Sequence, residues 1–178
     1  MELTAALLDL CKDVKQPIIA IDGPAGAGKT TLASDLALSL GRFMKVHTLH
    51  MDNYYHGWNS PFDKEWEEIL IHAVNSHKSA SPLSLKRYDW NSQQYASEVK
   101  EKSSQLLILE GVGSGSEFIR ENLSSLIWID VEPELGFKRV MQRDGDGISD
   151  EMRHWLELQK QHFQRNQVEI HADFILTT

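Results

Sequence analysis

The sequence has a single cysteine, Cys11, so no internal disulfide framework can form and the expected setting is a reducing one. It has no run approaching the ~20 apolar residues of a membrane span. Basic residues are in deficit, 18 against 26 acidic ones, for a net charge of −8. A chain this acidic is poorly suited to nonspecific binding of nucleic acid or an anionic membrane. The N-terminal segment carries acids and lacks a basic start, so it is not expected to be a signal peptide. Its Leu3, Leu7, Leu10 and Val14 share one helical face and predict a helix over 1–15. The eight histidines show no metal-ligand spacing. A cytoplasmic protein is expected, and 178 residues suffice for one core.

What is present is an alternation of apolar strands and helical segments. Ile18 to Asp22, Val46 to Met51, Gln105 to Glu110, Leu126 to Val131 and Ala172 to Thr177 read as five strands. Continuous apolar runs of this kind suit a parallel sheet covered on both faces, so the expected fold is α/β, a five-stranded parallel sheet in one domain. Leu32, Ala33, Leu36, Ala37 and Leu40 mark the helix after the first strand, with Gly41 as its stop. About fifty residues separate the second and third strands, far beyond an ordinary crossover. That insertion, about 53–104, holds a helix starting near Asp63 and an extended segment from Leu83 to Trp90. After the fourth strand Pro133 suits a helix N1 position, and the helix runs to about Arg143. Asp144-Gly145-Asp146-Gly147 breaks it, and Ser149 can cap the next helix. The stretch of about 139–150 reads as a short lid.

Gly23-Pro24-Ala25-Gly26-Ala27-Gly28-Lys29-Thr30 fits the phosphate-loop pattern G-x-x-x-x-G-K-[ST] between a strand and a helix. Glycines let successive backbone N–H groups turn inward as an anion nest, and the helix start adds its positive end. Lys29 is placed to bridge the β- and γ-phosphates of ATP, Thr30 to ligate Mg²⁺ and Thr31 to reach the α-phosphate. Asp52 and Glu110 end two strands at the sheet edge that carries this loop, where one carboxylate can serve Mg²⁺ and another can take a proton from an attacking hydroxyl. Asp22, just before the loop, reads as a turn-shaping residue.

Arg139 and Arg143 lie four apart on one helix face, and Arg143 beside the Gly-Asp-Gly loop can close over a transferring phosphate. Tyr54, Tyr55, Trp58, Arg87, Tyr88, Asp89 and Trp90 are candidates to line an acceptor pocket. Trp66 and Trp155 read as core, His50 as strand packing, and His154 and His162 as exposed helix positions.

Taken together, the loop, Met51-Asp52-Asn53-Tyr54-Tyr55, Tyr88-Asp89-Trp90, Leu109-Glu110-Gly111-Val112, Arg143-Asp144 and Ala172-Asp173 resemble the uridine kinase-like branch of P-loop small-molecule kinases. The resemblance implies transfer of the γ-phosphoryl of ATP, with Mg²⁺, to a nucleoside such as uridine or a similar alcohol. It implies Asp52 as the base and Arg143 as the lid arginine, in a monomer or homodimer. The same glycine-rich stretch also looks like the loop of cytidylate kinases, which makes a nucleoside-monophosphate kinase the alternative. A further alternative is a nucleotide-binding switch. A switch needs the loop but no acceptor insertion with an aimed Asp, and the insertion therefore favours a kinase.

Overall fold

The computed structural model describes residues 3–101 and 103–178. The first two residues of the expected N-terminal helix, and residue 102 of the insertion, lie outside them. The helices are α1 (Leu3–Cys11), α2 (Lys29–Leu40), α3 (Lys64–Lys78), α4 (Glu117–Arg120), α5 (Pro133–Asp144) and α6 (Ser149–Asn166). The strands are β1 (Ile18–Asp22), β2 (Val46–His50), β3 (Leu83–Asp89), β4 (Gln94–Glu101), β5 (Leu106–Glu110), β6 (Ser125–Asp130) and β7 (Phe174–Thr177).

Five strands form one parallel sheet in the order β2-β5-β1-β6-β7, and β3 and β4 form a separate antiparallel hairpin. Side chains alternate across the strands, so each strand feeds two cores. Ile19, Ile21, Leu106, Ile108, Ile127 and Ile129 face α1 and α2, where Leu7, Cys11, Ala33, Leu36 and Leu40 pack on them. Ile18, Leu107 and Leu109 face the other way, onto Trp66, Leu70, Ala73 and Val74 of α3 and Met152 and Trp155 of α6. Helices thus cover both faces, as expected for continuous apolar strands.

Asp63 caps α3 as anticipated, its carboxylate accepting from the Trp66 N–H at 2.9 Å. Pro133 opens α5, with the Glu132 side chain accepting from the Leu135 N–H at 2.8 Å. Ser149 does not cap α6. It lies inside the first turn, behind the short 3₁₀ turn Asp146–Ile148, and Ile148 takes the cap position without a side-chain bond. None of the helices is long and apolar enough to cross a membrane, among the described residues.

The strand β4 is not visible in the sequence pattern. Most of Gln94 to Lys100 is exposed, so it carries no alternation of apolar and polar residues. It forms because β3 lies beside it and buries Leu83 and Leu85 against the α3 side of the molecule.

Candidate active site

β1, β5 and β2 end side by side. β5 separates the two strands that carry the phosphate loop and Asp52, so Glu110 sits between Ile21 of β1 and His50 of β2, in register with both. The loop leaves β1 at Gly23 and enters α2 at Lys29, with Gly26 at φ 78° and Gly28 at φ 92°, values that disfavour a side chain. Gly26 is tight for a second reason. A Cβ there would stand 2.2 Å from the Gly136 carbonyl oxygen, because α5 packs directly against the loop.

Asp22 holds the loop from below. Its fully buried carboxylate accepts from the N–H groups of Gly23 at 2.8 Å, Gly113 at 3.1 Å and Gly115 at 2.8 Å, tying the loop to the turn after β5. Burial pushes its carboxyl up to about 6, against the pull of those N–H groups and of Lys29. This is the turn-shaping role the sequence suggests.

The Lys29 ammonium donates to the carbonyl oxygens of Gly23 and Pro24, both at 2.8 Å. Burial lowers its pKa, while Asp22, Asp52 and Glu110 work to keep it charged. The Thr30 hydroxyl donates to Glu110, 3.2 Å from Oε1 and 3.3 Å from Oε2. His50 Nδ1 lies 2.5 Å from Glu110 Oε1. His50 is therefore not strand packing. Its side chain is 41% exposed and bonded to a carboxylate that is itself 3% exposed.

Asp52 sits on the 3₁₀ turn Met51–Asn53 directly after β2. Asp52 is an exposed residue that lines the cleft. Partial desolvation raises its pKa, Lys29 and Arg143 oppose the rise, and Glu110 adds to it.

These groups open onto a cleft of about 350 Å³. Ala25, Gly26, Gly28, Lys29, Thr30 and Thr31 form its floor, and Asp52 and Glu110 one wall. Arg139, Arg143 and Asp144 form the side toward α5, and Tyr55, Trp58, Trp90 and Trp155 an aromatic end. Gly23 and Ala27 belong to the loop but lie beneath the cleft surface, Ala27 fully buried. Arg139 donates to the Gly26 carbonyl oxygen at 3.2 Å and to the Thr178 hydroxyl at 3.0 Å. Arg143 forks onto Asp144, with bonds of 2.8 Å and 2.7 Å.

The acceptor candidates divide. Tyr55 and Trp90 reach the cleft wall, whereas Arg87, Tyr88 and Asp89 do not. Tyr88 is buried among His56, Trp90 and Tyr95. The exposed Asp89 carboxylate builds the β3–β4 turn, accepting from the Asn91 N–H and the Ser92 hydroxyl, each at 2.9 Å, and these bonds lower its pKa. Tyr54 is buried away from the cleft. Trp155 is core, as expected, and also cleft wall. Its ring packs on Tyr55 at 4.7 Å and on Trp58 at 6.1 Å. His162 is not an exposed helix position but 5% exposed, stacked on Phe62 at 4.3 Å and 3.1 Å from the Ser116 hydroxyl.

The donors near the loop are all oxygens, from Thr30, Asp52 and Glu110, a set that suits a hard cation such as Mg²⁺. Among the described residues no three His, Cys, Asp or Glu side chains stand together as a metal cage. An ion here would therefore be shared with phosphate oxygens. The nest of the loop, the start of α2 and the Lys29 ammonium suit the phosphates of ATP.

No family model matches the chain. A uridine kinase from Lactobacillus helveticus is 25% identical over 144 aligned residues, covering 73% of this chain and 68% of that protein. The structure of a possible uridine kinase from Bacillus stearothermophilus superposes with a TM-score of 0.64 at 21% identity, covering 99% of this chain and 100% of the other. The chain resembles the uridine kinase-like P-loop kinases. A D-glycerate 3-kinase from Cryptococcus neoformans shares the fold with a TM-score of 0.68 at 10% identity, over 98% of this chain and 92% of that one. The proteins it resembles are kinases, and the five-stranded α/β fold is theirs.

Proposed function

We propose that this protein transfers the γ-phosphoryl group of ATP, with Mg²⁺, to a hydroxyl of a small metabolite, a nucleoside such as uridine or a similar alcohol. The observation that carries this reading is the placement of Asp52. It stands on the cleft wall between the phosphate loop and the aromatic end formed by Tyr55, Trp58, Trp90 and Trp155. A carboxylate lining the same cleft as the phosphate loop and an aromatic pocket favours transfer to an acceptor over nucleotide binding alone.

In this reading the loop N–H groups and Lys29 hold the phosphates, Lys29 exchanging its two carbonyl partners for phosphate oxygens. Thr30, Glu110 and Asp52 would hold Mg²⁺ together with the phosphates, and the ion supplies neutralisation of charge on the transferring group. The acceptor lies against the aromatic end with its hydroxyl toward Asp52. Asp52 takes the hydroxyl proton as the oxygen forms its bond to the γ-phosphorus and the bond to the ADP oxygen breaks. Arg143, released from Asp144, stabilises charge on the phosphoryl group in transit.

An ADP-release assay against nucleosides, nucleoside monophosphates, sugars and small hydroxy acids tests this. ATP turnover dependent on a neutral alcohol is the expected result. Turnover with a monophosphate alone would instead support the cytidylate-like alternative, and tight ATP binding with no acceptor would support a switch.

A further inference from the structure

Glu110 is a nearly buried carboxylate at the centre of the cleft edge, and a buried carboxylate must be hydrogen-bonded to be tolerated. Its neighbours in register are Ile21 on β1, which offers no polar side chain, and His50 on β2. Register partners on adjacent parallel strands put their side chains on the same face, about 4.8 Å apart, so His50 is the side chain the sheet delivers to Glu110. The result is the 2.5 Å contact from Nδ1 to Oε1. An ionised carboxylate only accepts, so Nδ1 must be the donor. The Thr30 hydroxyl then completes the cluster from the other side, shared between the two Glu110 oxygens.

We propose that His50 is a positioning residue that fixes the Glu110 carboxylate for binding the metal–nucleotide at the phosphate loop. A flexible glutamate can turn either oxygen, or neither, toward the loop. A donor anchored on the neighbouring strand selects one arrangement, and loss of such a supporting hydrogen bond usually costs 10- to 100-fold in metal affinity. Asp52 and Arg87 are the other charged groups acting on His50. The proposal rests on the reading given above only in taking Glu110 as an oxygen donor toward the metal–nucleotide.

Two substitutions separate the donor from the ring. His50→Phe keeps a ring of similar size and removes the N–H. His50→Asn removes the ring and keeps a side-chain N–H near the position of Nδ1. The measurement is binding, not turnover: Mn²⁺ titrated by electron paramagnetic resonance into protein with ADP, beside ADP affinity in chelator, with circular dichroism to verify the fold. The expected result is a loss of Mn²⁺ affinity of about tenfold or more for His50→Phe, with metal-free ADP affinity within about twofold and most of the loss recovered in His50→Asn. A His50→Phe protein with unchanged Mn²⁺ affinity would overturn the proposal. So would a folded His50→Asn protein as defective as His50→Phe, or a wild-type protein whose ADP binding recruits no metal. Wild-type protein that binds Mn²⁺ with ADP but phosphorylates no acceptor would defeat the kinase reading and leave this result standing.

Discussion

The indole N–H of Trp90 donates to the backbone carbonyl of Asp52 at 3.0 Å, across 38 residues of chain. Nearby the Tyr95 hydroxyl donates to the Tyr54 carbonyl at 2.8 Å. The β3–β4 hairpin therefore grips the turn that carries the proposed base, and the Trp90 ring that lines the acceptor end is the same ring that holds Asp52. Trp90→Phe keeps an aromatic wall and loses the bond. One such bond contributes about 1 kcal/mol, so kcat/KM for the acceptor should fall roughly 3- to 10-fold while the KM for ATP changes less than twofold. Steady-state kinetics with each substrate varied in turn measures both, and an unchanged kcat/KM would make Trp90 a wall and nothing more.

Arg143 is held by Asp144 in a two-pronged pair beside Gly145, a residue at φ 89° where the chain turns out of α5. If the guanidinium leaves Asp144 for the phosphoryl group only as charge builds, its loss weakens the transition state more than the bound state. Arg143→Ala should then lower kcat by about 10²-fold or more, with affinity for a non-hydrolysable ATP analogue within about threefold. Equal losses in both quantities would assign Arg143 to ground-state binding.

His162 gives the pH dependence of stability a specific shape. Burial, helped by Arg165, lowers its pKa to about 4 from 6.5. A neutral buried histidine contributes stability that is present above pH 6.5 and is lost as pH falls toward 4, because the unfolded chain takes up the proton first. The shift corresponds to about 3 kcal/mol. Asp22 acts with the opposite sign in the overlapping window from 3.8 to about 6, since its folded carboxyl protonates first. The two partly cancel in the wild type. His162→Gln leaves Asp22 in place, so the stability of the variant relative to wild type should improve by about 3 kcal/mol between pH 6.5 and 4 in urea unfolding. A difference that does not vary with pH would refute the buried neutral histidine.

Much of the fold can be read from the chain because the five parallel strands are apolar runs and the phosphate loop has a fixed spacing. Ile18–Asp22 begins and ends where its pattern does. The order of the strands cannot be read this way. Asp52 and the loop are compatible with neighbouring strands or with strands one apart, and β5 between them is a tertiary choice. That choice alone brings His50 to Glu110, so a histidine that looks like packing in sequence bonds a carboxylate at the cleft edge. Asp89 misleads for the reverse reason. It sits in a suggestive motif, yet its side chain is used up by its own turn. The cleft face of Trp155 is hidden because an amphipathic helix pattern reports burial and not what the buried ring lies beside.

The proposed transfer mechanism rests most heavily on Asp52 as its base. Asn in its place keeps the shape and removes the charge and basicity. The direct measurement is the Asp52→Asn protein taken through two experiments side by side: calorimetric titration with a non-hydrolysable ATP analogue, and phosphoryl transfer to the best wild-type acceptor. Nucleotide affinity is expected to stay within about tenfold while transfer falls by roughly 10²-fold or more, the range for loss of a general base. A variant that binds the analogue and still transfers at the wild-type rate would contradict the role given to Asp52.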